Sequence, residues 1–193
     1  MILENLKDYK IILASQSPRR RELLKELGLK FDVCSADIDE SFPDDMPHEK
    51  VPVYLAEKKA DFYKDAILEN QLIITSDTIV SVDDEILGKP ADYDEAYKML
   101  KSLSGKWHKV ATGVCIFSKN KKVTFISITK VRFKALTHEE IDFYITNFKP
   151  FDKAGAYGIQ EWIGYIAVEE IEGSYFNVIG LPVQRLYEEL CVF

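Results

Sequence analysis

The sequence predicts an α/β protein built on a mixed, twisted sheet flanked by helices. Two patterns point there. Short apolar or β-branched runs alternate along the chain with segments whose apolar residues recur at helical spacing. In the second half, two strand-like runs at 109–117 and 123–133 are parted only by a short polar turn, which is the pattern of a hairpin within the sheet. The 193 residues are 47% hydrophobic and contain no repeat, low-complexity tract or linker-like stretch, so one domain is expected over 1–193.

The elements follow in order. KIILA (10–14) reads as a buried strand. Ser17 then caps a helix with Pro18 in its first turn; Leu23, Leu24 and Leu27 mark its face and Gly28 its end. Residues 31–36 read as a second strand, followed by an acidic, proline-containing loop to Pro47. Val51, Tyr54, Leu55 and Phe62 mark a helix over about 48–66. QLIITSDTIVSV (71–82) is continuous and β-branched, as a central strand is, and Asp83-Asp84 makes a turn. Asp92 and Glu95 open a helix through Leu103, and Thr137 with Glu140 forms a capping box for another to about Asn147. Residues 164–170 read as a strand, and Leu181-Pro182 precedes a last amphipathic helix bearing Val183, Leu186, Tyr187 and Leu190.

Charge narrows the function. The chain carries 25 Lys and Arg against 32 Asp and Glu, a net −7. Residues 1–30 hold seven basic and four acidic groups, so a +3 start stands on a −10 remainder. A net-acidic chain is a poor partner for nucleic acid, which requires a basic footprint. No run approaches the length of a membrane span, and acids precede the only early apolar run, so neither a membrane partner nor a secretory leader is expected. Three widely spaced cysteines and three isolated histidines form no metal-binding or disulfide spacing, which suits a reducing cytoplasm.

Six segments carry candidate chemistry, most of them with a plainer alternative. Ser15-Gln16-Ser17-Pro18-Arg19-Arg20 puts hydroxyls and guanidiniums at a helix start, an anion cradle or an ordinary cap with a solvated basic turn. Asp77 lies inside an apolar strand, where a carboxylate is costly unless paired or bound to a cation; the alternative is a structural aspartate. Lys89 is fixed between Gly88 and Pro90, in a shaped loop or a surface turn. The loop 152–160 ends in Gln160, whose amide can donate and accept as base reading requires, or is simply a surface amide. The Gly-bounded stretch 173–182 meets the start of the last helix. The acidic loop holding Asp37, Asp39, Glu40, Asp44 and Asp45 is a solvated face or a source of hard-cation ligands.

Together these segments resemble the Maf family of nucleoside triphosphate pyrophosphatases. LASQSPRRRELL (13–24), LAEKKA (55–60), SDTIV (76–80), GKP (88–90), LSGKWHKVATGV (103–114), DKAGAYGIQ (152–160) and GLPV (180–183) appear in family order. The resemblance implies an elongated, ITPase-like fold with two lobes around a central cleft. It implies hydrolysis of a nucleoside triphosphate between the α- and β-phosphates, a divalent cation (Mg2+ or Mn2+) and a homodimer. Arg19, Thr78 and Gln160 resemble the branch acting on dTTP and UTP; the branch acting on 7-methyl-GTP has Trp, Gln and Glu at those places. By the same resemblance, Ser15, Arg19 and Arg20 lie on the phosphate side, and Glu40 and Asp77 are the acidic positions associated with metal and water. Lys59 is the lysine of the LAxxKA pattern, with Lys58 as its neighbour in register; Lys89 is the lysine of GKP. Asp77 is then expected to activate the attacking water, as general base or as metal ligand, while Arg20, Lys59 and Lys89 stabilise the growing negative charge. Gln16 departs from the Gly, Asn or Thr usual in the first motif. A nucleotide-binding regulator of cell division that does not hydrolyse remains a second reading, since a link to septum formation attaches to the family.

Overall fold

The structure, a computed structural model, describes residues 3–193. Among these residues one seven-stranded sheet runs through the chain. Its strands are β1 (Lys10–Ala14), β2 (Phe31–Cys34), β3 (Gln71–Val82), β4 (Glu85–Leu87), β5 (Trp107–Phe117), β6 (Lys122–Phe133) and β7 (Val168–Glu172). The order is β2-β1-β3-β5-β6-β7, with β4 beside β3. β1 pairs parallel with β2 and with β3, whereas β3–β4 and β6–β7 are antiparallel, so the sheet is mixed as expected. The helices are α1 (Pro18–Glu26), α2 (Val51–Asp61), α3 (Tyr93–Leu103), α4 (His138–Phe148), α5 (Trp162–Ala167), α6 (Tyr175–Ile179) and α7 (Val183–Cys191). The chain divides into two compact units, and β3 passes from one to the other between Asp77 and Thr78.

The first unit comprises the chain up to Asp77, Thr112–Ser127 and Gly180–Phe193. Leu13, Leu24, Leu72, Ile74 and Ile116 are fully buried in it, and α7 adds Val183, Leu186 and Leu190 from one face. Two contacts seat α2. A Cβ on Gly113 of β5 would lie 2.3 Å from Pro52 C and O and from Val53 N, so only glycine admits the helix backbone this close. One turn further along, the buried Thr75 hydroxyl of β3 donates to Ala56 O at 2.6 Å. Ser17 caps α1 by accepting from Arg20 N–H, as the sequence indicates.

The second unit comprises Thr78–Ala111 and Ile128–Ile179. Asp92 caps α3 by accepting from Glu95 N–H, and Thr137 and Glu140 form a complete capping box on α4. Leu100, Leu103, Phe133, Ile141, Tyr144, Ile145 and Ile163 fill its core. Asp83 and Asp84 both have positive φ (48° and 61°), which closes a two-residue hairpin onto β4, a strand the sequence reading does not contain.

One expected element is of the wrong type. Residues 164–170, read as a strand, begin inside helix α5, and the strand starts only at Val168. Ile163 and Ala167, four apart and fully buried, share the inner face of a helix too short for its period to show in the sequence. The helix expected over 48–66 is shorter: a 3-10 turn over His48–Lys50 leads into α2, which ends at Asp61.

Candidate active site

The chemistry of the first unit centres on Lys59. Its ammonium donates to Glu40 Oε1 at 2.7 Å and to Asp77 Oδ1 at 2.5 Å. The side chains of Lys59 and Asp77 are only 15% and 11% exposed, against 45% for Glu40, so the lysine–aspartate pair is largely desolvated while Glu40 faces water. Breaking such a pair by removing one partner is costly because the other charge stays behind. The geometry has a local origin. Thr75, two residues before Asp77, is tied to Ala56, three residues before Lys59, so β3 and α2 deliver their charged groups in fixed register.

Glu40 belongs to a loop without regular structure, and its neighbours hold it. Lys58 Nζ donates to Asp39 Oδ2 (2.9 Å), to Ser41 O (3.0 Å) and to Ser41 Oγ (3.3 Å). The Ser41 hydroxyl also donates to Asp39 Oδ2, and Ser41 N–H donates to Oδ1 at 3.0 Å. These bonds, led by that from the Ser41 hydroxyl, hold the Asp39 carboxyl down at about 2. The two adjacent lysines therefore divide the work: Lys58 fastens the loop, and Lys59 joins Glu40 to Asp77.

Arg20 faces inward. Its Nε donates to Gly180 O at 2.8 Å and its Nη1 to Ser76 O at 2.7 Å, while Ser76 Oγ also donates to Gly180 O at 3.2 Å. The guanidinium thus fastens the start of α1 to the residue before Asp77 and to the glycine of GLPV. Burial lowers the Arg20 pKa and the nearby Asp77 charge opposes that; arginine's intrinsic basicity keeps it charged. Arg19 is close enough for its charge to act on Arg20 as well. The nearly buried Ser15 accepts from Ser17 N–H at 3.2 Å, shaping the turn before the helix. Arg21 donates to Gln16 O at 3.0 Å, so the unusual Gln16 takes part in this turn through its backbone.

Thr78, Lys89 and Gln160 belong to the second unit. Lys89 and Gln160 are exposed, and Thr78 is half-buried. Their segments share one frame. Gly155 N–H donates to Gly88 O at 3.0 Å, beside Lys89. A Cβ on Gly155, whose φ is +68°, would lie 2.9 Å from the Val80 side chain on the strand that carries Thr78. The DKAGAYGIQ loop is therefore fastened to both the GKP loop and β3.

Residues 10–193 match the family described as Maf-like protein. The chain belongs to the Maf family. Among curated relatives, a protein of Parabacteroides distasonis named dTTP/UTP pyrophosphatase is 55% identical over 98% of both chains. A protein of the same name from Porphyromonas gingivalis is 52% identical over 98% of this chain and 96% of its own, and one from Flavobacterium johnsoniae is 48% identical over 98% of each. Among solved structures, the Staphylococcus aureus Ham1 protein covers 64% of this chain and 71% of its own at 13% identity and a TM-score of 0.48, a partial likeness that adds nothing to the site.

The Maf residues suit a hard divalent cation. Glu40 and Asp77 converge on one cationic centre, the Lys59 ammonium, so two carboxylates reach a common point. Among the described residues no group of three or more His, Cys, Asp or Glu is gathered that could hold a metal ion. Two carboxylates suffice for a hard cation that completes its shell with water and substrate phosphate. Three contributors to this site carry no sequence signal for their roles: Thr75 reads as one more β-branched strand residue, Gly113 as a glycine within the strand over 109–117, and Asp39 as one acid among several.

Proposed function

We propose that this Maf protein is a nucleoside triphosphate pyrophosphatase that hydrolyses dTTP and UTP to the monophosphate and pyrophosphate. The convergence of Glu40 and Asp77 on Lys59 is the observation that carries it, supported by relatives that bear this activity in their names and match nearly the whole chain. Asp77, held in place by Lys59, takes a proton from water onto a carboxylate oxygen as that water attacks the α-phosphorus, and pyrophosphate leaves. Lys59 keeps the aspartate oriented and offsets charge beside the reacting phosphate, the main service a protein renders to phosphoryl transfer. Glu40 and Asp77 would hold the divalent cation, Mg2+ or Mn2+, which when bound neutralises charge on the phosphate oxygens.

The remaining roles follow the resemblance. Ser15 and Arg19, at the start of α1, act on the phosphate side with Lys89. Arg20 acts there too, by holding the helix start against β3. Thr78 and Gln160 serve the base, the glutamine amide offering both a donor and an acceptor to the edge of thymine or uracil. Among the described residues no helix is long and apolar enough to cross a membrane and the three cysteines are free, which accords with cytoplasmic action on a small nucleotide; the family resemblance adds a homodimer.

A pyrophosphate-release assay with magnesium and dTTP, UTP, CTP, GTP or 7-methyl-GTP tests this. Release is expected from dTTP and UTP, and Asp77→Asn is expected to lower turnover by roughly 10^2–10^4-fold while still binding triphosphate. Near-normal hydrolysis by that variant sinks the assignment of Asp77. Equal rates with dTTP and 7-methyl-GTP refute the pyrimidine preference, and no release from any nucleotide leaves the regulator reading in its place.

A further inference from the structure

Gln160 stands in a loop that a single buried hydroxyl holds at two residues, through the backbone of Gly158 and the side chain of Glu161. Tyr144 of α4 is fully buried and stacks on Phe148 with ring centroids 5.2 Å apart. Its hydroxyl accepts from Gly158 N–H at 3.0 Å and donates to Glu161 Oε2. The other oxygen of Glu161 lies 3.1 Å from the ammonium of Lys153, itself only 7% exposed and held also by Asp152 Oδ1 at 2.7 Å. Glu161 N–H closes the turn onto Gly158 O at 2.9 Å. Packing leaves no slack, since a Cβ on Gly158 would lie 3.0 Å from the Glu161 carboxyl carbon and 3.1 Å from Lys153 Cε. Gly158 and Glu161 flank Ile159 and Gln160; of these two, Ile159 is buried and Gln160 is turned outward.

With Tyr144 and Lys153 buried and Glu161 satisfied on both oxygens, this network holds the backbone between Gly158 and Glu161 in a single conformation. Burial, with the Glu161 carboxylate adding to it, raises the Tyr144 pKa, so the phenol keeps its proton and remains a donor. We propose that Tyr144, with Glu161 and Lys153, is the positioning group for base recognition: it aims Gln160 and thereby sets which base is accepted. Tyr144 itself does not touch the nucleotide. The inference rests on the reading of Gln160 as the base-side residue.

The test compares Tyr144→Phe, Glu161→Gln and Gln160→Ala in steady-state assays with dTTP, UTP, CTP and GTP. Tyr144→Phe keeps the ring and removes only the hydroxyl. It is expected to raise KM for dTTP roughly tenfold with kcat within about twofold, and to narrow the preference for dTTP over CTP. On a Gln160→Ala background the same change is expected to leave the preference where Gln160→Ala has put it. A role confined to stability lowers the thermal midpoint and the amount of active enzyme but leaves the preference among bases untouched. Glu161→Gln, which keeps an acceptor for Tyr144 and breaks the ion pair to Lys153, gives a second reading of the same sign should Tyr144→Phe fold poorly. The proposal is overturned if Gln160→Ala changes the preference and neither of the other variants does. If Gln160→Ala leaves the preference intact, the base-reading role falls, and the positioning role with it.

Discussion

Gly113→Ala offers a demanding check, because a single methyl group there meets backbone rather than a yielding side chain. The added carbon would lie 2.3 Å from three backbone atoms of Pro52 and Val53, whereas ordinary contact begins near 3.4 Å. The first turn of α2 must then retreat from β5 by about 1 Å. Overpacking of this kind costs about 1–3 kcal/mol. The same retreat stretches the 2.6 Å bond from Thr75 to Ala56 O, one turn along, past useful length. Leaving that buried pair unmet adds about 1–3 kcal/mol. A combined loss of about 2–6 kcal/mol is expected to lower the thermal midpoint by roughly 5–20 °C for a chain of this size.

The consequence for catalysis is separable from the loss of stability. Lys59 rides on α2, and a displacement near 1 Å in a positioning element can lower turnover about 100-fold. Calorimetry gives the midpoint, and pyrophosphate release at a temperature where the variant is fully folded gives kcat. Thr75→Val, which removes the hydroxyl without the clash, is expected to show the smaller part of the thermal loss. A Gly113→Ala protein with an unchanged midpoint and unchanged kcat refutes the view that this backbone contact seats Lys59.

Two further outcomes follow from the same geometry. Lys59→Met is expected to reduce kcat by roughly 10^2–10^3-fold, whereas Lys58→Met, which releases an exposed and solvent-screened latch, is expected to reduce it less than about tenfold; the reverse ranking in a turnover assay overturns the division of work between the two lysines. His108 is buried against Phe133 and Tyr157, with Nε2 2.8 Å from the tyrosine hydroxyl, and burial drives its pKa from 6.5 down to about 3. The folded chain holds the ring neutral while the unfolded chain protonates it. Its contribution is therefore complete above about pH 6.5 and is lost as pH falls toward 3, at a slope of about 1.4 kcal/mol per pH unit. Urea titrations between pH 7 and pH 4.5 are expected to show a shallower decline for His108→Gln than for the natural chain; identical slopes count against it.

Much of this was legible in the sequence where the signal is local. Ser17, Asp92 and Thr137 each precede their helices by the spacing a cap requires, and all three accept the expected backbone bond. The run 71–82 is one strand from end to end because nothing within it breaks β geometry. Helix α5 was misread because six residues hold too few turns for a period to show, and β4 was missed because three residues after a turn carry no pattern at all. Between Lys58 and Lys59 the family resemblance selects Lys59, but residue patterns alone do not choose. The two are neighbours on one helix, and only the position of that helix against Asp77 and the loop of Glu40 decides which ammonium meets which carboxylate. Arg20 shows the same limit: three arginines in a row look alike, yet this one is turned toward Ser76 and Gly180.

The charge distribution then acquires a local meaning. Lys59 offsets one of the two carboxylates it joins, so the three groups together carry one net negative charge. Arg20 and Arg19 lie close enough to offset that charge, but the Glu40 carboxylate, the most exposed of the three, still repels a bare triphosphate from a position that water only partly screens. Glu40→Gln removes this charge and keeps the shape. In EDTA, the variant is therefore expected to bind dTTP more tightly than the natural chain, by roughly fivefold if about 1 kcal/mol of repulsion is relieved. With magnesium present the order is expected to reverse, because the same substitution deprives the cation of a carboxylate. Titration calorimetry in the two buffers reads both signs. Weaker binding of the metal-free nucleotide by Glu40→Gln would mean that Glu40 meets the triphosphate only through its structural bond to Lys59, and the placement of the acidic pair beside the phosphates would have to be given up.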